Sequence, residues 1–193
     1  MSGSIVELTN QALFMLGQKS IISMTEDTET ARLCNGRFVY VRNAVLRSYP
    51  WNCAITRAAL AQSLDLPAWE YEYKYALPTD PLCLRVLDTE ERKMSGYLFK
   101  VEGRWIFTDA PTCNIIYVAQ ITDVNEMDAL LREAIAARLA SDICYALTGN
   151  SAQQETMWQL YEQKIRQAKS IDAQEGTAII EESQNNTFLS SRN

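Results

Sequence analysis

The sequence predicts a mainly helical α+β fold: a bundle of about four long helices, a small antiparallel β-sheet insertion, and an extended C-terminal tail. Three observations carry this. Apolar residues recur every three or four positions in two stretches towards each end of the chain. Between them, about 69 to 122, aromatic residues alternate with charged ones in WEYEYKYALP and further β-rich runs follow. After Gly176 the composition turns polar and rich in Asn and Ser. The expected organisation is a helical bundle from 1–68 and 123–175, a β-rich insertion at 69–122 and a flexible arm at 176–193, with no internal repeat.

The first helix is expected over about 4–16. Ser4 can cap it, Ile5, Leu8, Ala12 and Leu16 line one face, and Gly17 suits a left-handed C-cap. Thr25 and Thr28, with Glu26, Asp27 and Glu29 beside them, open a second helix whose stripe is Ala31, Cys34, Phe38, Val41, Val45 and Tyr49, ending before Pro50. The NCAITRAALAQ stretch that follows suggests another short helix.

WEYEYKYALP would place Trp69, Tyr71, Tyr73 and Tyr75 on one strand face. Leu84 and Val86 before a turn at LDTEER, a hairpin at Glu102-Gly103 and the run IIYVAQIT complete the sheet. Asp128 and Gly149 bracket a helix with Leu131, Ala134, Ile135, Arg138, Leu139, Ile143 and Leu147 on its stripe. Ser151 starts the last helix, whose line runs Met157, Leu160, Tyr161, Ile165, Ala168 and Ile171 to about Ala173.

Composition bounds the function. The 193 residues are 47% apolar and 22% charged, ordinary for a globular chain and too apolar for disorder. There is no histidine, which removes Ser-His-Asp, Cys-His and HExxH chemistry. The five cysteines contain no CxxC pair, so no metal site is signalled and reduced, buried thiols are expected. The start lacks a basic leader, and every apolar run is broken well before the roughly 18 residues a membrane span needs, so neither signal peptide nor membrane is expected. A net charge of −6 argues against a surface that grips phosphate throughout.

Phosphate-binding glycine loops are absent, and no cofactor is expected. Without histidine, hydrolysis of a glycoside by paired carboxylates remains chemically available, with Glu70/Glu72 or Glu90/Glu91 as the pairs, although carboxylates alternating with aromatics are the ordinary pattern of a solvated strand face. Arg32, Arg37, Arg42 and Arg47 are five apart, turning about 140° per step, so they wind around their helix and do not form a DNA-reading stripe. The aromatic row could stack bases, but Glu70, Glu72, Asp88, Glu90 and Glu91 around it favour packing or a protein interface. Trp69, Tyr71 and Tyr73, with Ile179, Ile180, Phe188 and Leu189 of an arm able to reach roughly 50–60 Å, are the candidate partner or subunit interface residues.

The front half carries Leu16-Gly17, an Ile22-Ser23-Met24 segment followed by Glu26 and Thr28, a helix with Arg42 and Leu46, and Pro50-Trp51-Asn52 before Ala54. Residues 75–87, 101–109, 115–149 and the final helix continue the agreement over roughly 5 to 175. In these features the chain resembles the tail tubular protein A, or head-to-tail adaptor, family of short-tailed bacteriophages. Cys53 departs from it, standing where that family's pattern leads one to expect an aromatic residue.

The resemblance implies a structural virion protein without catalytic residues, made in the host cytoplasm and placed at the phage neck. It implies a homo-oligomeric ring of about twelve copies. The ring would join the portal protein to the tail nozzle protein and pass double-stranded DNA through its lumen without sequence-specific binding. Arg42, Pro50, Trp51 and Asn52 would be structural motif residues. An acidic chain suits such a lumen, because negative walls repel phosphate and let DNA slide.

Overall fold

The computed structural model describes the backbone of residues 3–189 and the side chains of 3–175. The fold is predominantly helical, with two small antiparallel three-stranded sheets inserted. The chain divides into two compact units, one from the segments before Leu46 and after Thr122, the other from Leu46–Thr122. The stretch read as a short helix after Trp51 is a 3-10 turn at Asn52–Ala54 followed by a strand, β1 (Ile55–Ala59). Ala58 and Ala59 favour helix in isolation; pairing of β1 with a strand far along the chain overrides that preference.

In the helical unit, α1 (Ile5–Met15) begins at a capping box in which the Glu7 N–H donates to Ser4 Oγ (3.1 Å) and the Ser4 N–H donates to Glu7 Oε2 (2.9 Å). It ends at Leu16, with Gly17 at φ +66°. Asn10 then pins the connection, accepting from the Ile21 N–H (2.8 Å) and donating to its carbonyl (2.9 Å). Helix α2 (Glu29–Ser48) starts after Thr28, whose Oγ1 accepts from the Ala31 N–H. Its expected stripe from Ala31 to Val45 is buried.

Helix α4 (Ala129–Thr148) is capped by Asp128, which accepts from the Leu130 and Leu131 N–H groups, and closes at Gly149 (φ +66°). Beyond its expected stripe it also buries Ala136, Ala137, Ala140, Ser141 and Cys144, so it is the central helix of the unit, packed by α1 and α5. Helix α5 is Ser151–Leu189. It runs past Ala173, where the sequence places its end and an extended arm. No proline interrupts the stretch, and a single Gly176 costs a helix only about 1 kcal/mol. On α5 the stripe shifts at its end: Ile171 is exposed and Asp172 is buried.

The second unit contains β1, β2 (Tyr73–Ala76), β3 (Cys83–Thr89), α3 (Glu90–Ser95), β4 (Phe99–Glu102), β5 (Trp105–Thr108) and β6 (Asn114–Ala119). Where one sheet was expected there are two, ordered β1-β6-β3 and β2-β5-β4. Tyr75 and Ile106 from one sheet meet Cys83, Ile115, Tyr117 and Ala119 from the other in a shared core. The β4–β5 hairpin turns at Gly103-Arg104, with Gly103 at φ +58°. From that turn the Arg104 guanidinium donates to the carbonyls of Cys83 (2.8 Å), Leu77 (3.3 Å) and Pro78, fastening the β2–β3 connection.

Candidate interaction surface

The aromatic row divides into two environments. Strand β2 begins only at Tyr73; Tyr75 is in the core with its hydroxyl donating to the Ala110 carbonyl (2.9 Å), and Tyr73 is half-buried against that core. Upstream the alternation fails at Glu70, which sits at φ +75° in the centre of a γ-turn closed by the Tyr71 N–H donating to the Trp69 carbonyl (3.0 Å). Such a backbone is rare and strained for a residue with a side chain. Trp69 and Tyr71 are therefore off the strand, and Trp69 is 77% exposed.

Trp69 and Tyr71 instead face a groove of about 350 Å³ whose other aromatic walls are Trp105 and Phe107 of β5. The Tyr71 and Phe107 rings lie 6.4 Å apart. Glu70, Glu102 and Lys74 supply its polar groups. Lys74 Nζ is 5.0 Å from the Trp105 ring centre and 3.8 Å from Asp65 Oδ2. The Glu72 N–H donates to Asp109 Oδ1 (2.9 Å), holding the segment that follows the γ-turn. Trp105 and Phe107 were missed in sequence, though WIFT carries their signal, Trp and Phe alternating with the inward Ile106 and Thr108.

The carboxylates proposed for hydrolysis differ in their surroundings. Glu70 lines the groove and Glu72 does not. Glu91 accepts from the Asn114 N–H (3.0 Å), Asn114 Nδ2 (3.1 Å) and Thr112 Oγ1 (3.1 Å), tying α3 to β6, while Glu90 borders a separate cavity of about 510 Å³ with Arg57, Lys93 and Met94. Nearby, Arg92 donates to both Asp88 oxygens (2.5 and 2.8 Å), and this pairing holds the Asp88 carboxyl down at about 2, the opposite of a raised general acid. Among the described residues no group of three or more His, Cys, Asp or Glu could hold a metal ion, and no helix is long and apolar enough to cross a membrane.

The four arginines do wind around α2, and each has a structural neighbour. Arg32 meets Asp27 (2.5 Å), Arg37 meets Asp142 (2.6 Å), and Arg47 donates to the Leu84 carbonyl. Arg42 is buried beside the Phe38 ring (5.8 Å), and desolvation lowers its pKa. After α2, Pro50 leads into Trp51, which is 1% exposed and meets Tyr49 edge-on at 5.0 Å; Asn52 opens the 3-10 turn and is exposed. Cys53 is also exposed, correcting the expectation of five buried thiols. No protein-family model matches the chain, and no curated protein matches it.

One further feature bears on association. From Met94 to Val101 the chain exposes Met94, Tyr97, Leu98 and Val101, and β4, which begins within this stretch, lies at the edge of its sheet. The other candidate interface residues, Ile179, Ile180, Phe188 and Leu189, lie outside the described side chains.

Proposed function

We propose that this chain is a structural virion protein, a ring-forming head-to-tail adaptor that joins a phage portal to the tail nozzle and forms part of the channel through which DNA is packaged and ejected. The observation that carries the reading is the open edge of β4 beside exposed Met94, Tyr97, Leu98 and Val101. Unpaired strand backbone next to apolar side chains is surface that gains free energy when another subunit covers it. A ring closes through a heterologous interface, which needs such a patch on one side of each subunit and a complement on the other. The sequence features shared with tail tubular proteins give the reading its specific form, and a net charge of −6 suits a channel that must not hold DNA. In this role the chain has no catalytic residues, needs no cofactor and resides in the virion neck after synthesis in the host cytoplasm.

The test is the light-scattering mass of the protein alone and mixed with the portal protein of the same genome. Twelve 21.9 kDa chains give about 260 kDa, as a free ring or as mass gained by the portal. A 22 kDa species in both samples overturns the reading.

A further inference from the structure

We propose that the groove between the 66–71 loop and β5 is a binding site for a neutral oligosaccharide. Its aromatic walls and its charges point to this class of ligand together. One face of a pyranose ring is a patch of C–H bonds with slight positive charge, and it stacks on the electron-rich face of an indole or phenol. Trp69, 77% exposed, and Trp105, 37% exposed with Lys74 over its ring, line one groove. The sugar's hydroxyls both donate and accept, and the groove supplies acceptors in Glu70 and Glu102 and a donor in Lys74. Its volume of about 350 Å³ is at the small end of ligand sites, which run to roughly 300–1,000 Å³.

The charges disfavour the competing occupants. Nucleic acid would also stack on these rings, but its phosphates need free cations. Lys74 is already shared between Asp65 and the Trp105 ring, and Lys100 of β4 pairs with Glu102 at 2.8 Å. Glu70 and Glu102 would repel the backbone. An apolar protein segment would take the Glu70 carboxylate and the Lys100–Glu102 pair out of water, at a cost a hydroxylated ligand avoids by hydrogen bonding to them. The strained γ-turn centred on Glu70 forms part of the groove's lining, and backbone strain of this kind concentrates at ligand sites. The site is independent of ring formation.

The full chain is titrated with chitohexaose, cellohexaose and maltohexaose, following tryptophan emission, with an oligothymidylate as the anionic comparison. At least one hexasaccharide is expected to shift the emission saturably. Trp69→Ala, at an exposed position that leaves the fold intact by circular dichroism, is expected to weaken that binding about tenfold or more, and Glu70→Gln several-fold. Trp105→Ala serves as a second ring deletion where it folds. No saturable change with any of the three sugars up to about 10 mM, unchanged affinity in Trp69→Ala, or tighter binding of the oligothymidylate overturns the proposal.

Discussion

The Arg138 guanidinium lies 4.4 Å from the ring centre of Trp158 and 5.4 Å from that of Tyr161, so a cation on α4 is held by two aromatic rings of α5. The same arginine is 3.4 Å from Asp142, which also receives Arg37 of α2 at 2.6 Å. Arg138 and Asp142 of α4 together link three helices. Arg138→Ala is expected to cost about 1–2 kcal/mol of unfolding free energy, combining the ring contacts with the ion pair. A double-mutant cycle with Trp158→Ala in urea should return a coupling of at least ~0.5 kcal/mol; additive effects would show that the stacking carries no energy.

Trp51 is 1% exposed just after α2 ends, and Trp51→Ala removes a large ring from a packed site. The expected loss is about 3–5 kcal/mol by chemical denaturation. A loss below ~1 kcal/mol would mean that the site collapses around the missing ring.

Asp88 gives the acid limb of stability a defined contribution. Its folded pKa of about 2, set first by the Arg92 hydrogen bonds, lies below the roughly 3.9 of an unfolded aspartate. The stabilisation is therefore complete above about pH 4 to 5 and disappears as pH falls through about 2. Solvent around half-exposed Arg92 screens the pair and reduces this contribution. Asp88→Asn should flatten the stability profile in that window while changing little of its shape near neutrality; an unchanged slope would show that the pair is broken in solution.

Gly36 and Gly149 predict opposite signs for one substitution. Gly36 lies inside α2 with nothing within 4 Å of an added Cβ, so Gly36→Ala should raise stability by about 0.5–1 kcal/mol. Gly149 also has open space but sits at φ +66°, and Gly149→Ala should lower stability by about 1 kcal/mol. Thermal melts of the two variants should move in opposite directions.

The thiols separate by access. Burial raises Cys34 to about 11 and Cys113 to about 12, so both are protonated and shielded near neutral pH, whereas Cys53 is exposed. Brief iodoacetamide treatment of the native protein, read by peptide mass spectrometry, should label Cys53 first and Cys34 and Cys113 only after denaturation.

What could be read in the sequence was local. Ser4 with Glu7, Asp128, Gly17 and Gly149 mark helix ends by chemistry that acts within a few residues, and each lies where the spacing puts it. What failed depended on distant partners. Ile55–Ala59 is a strand because β6 pairs with it, and the alternation around Trp69 reads as a strand until Glu70 turns the backbone. The candidate surface was half legible. Trp69 and Tyr71 stood out in the sequence, but their groove needs Trp105 and Phe107, brought beside them only by the β2–β5 pairing.

The interruption of the helical unit by Leu46–Thr122 also sets an order of events during synthesis. Helix α1 packs mainly on α4, so that packing must wait until the ribosome has made the whole intervening segment and then Ala129–Thr148. By then every strand of the β unit has emerged. The part of the chain made first is thus completed last, and closing so long a loop before α1 gains its contacts slows that final step. Arrest-peptide force profiles along the nascent chain should show a pulling event from the β unit before one from the helices; a single late event would merge the two.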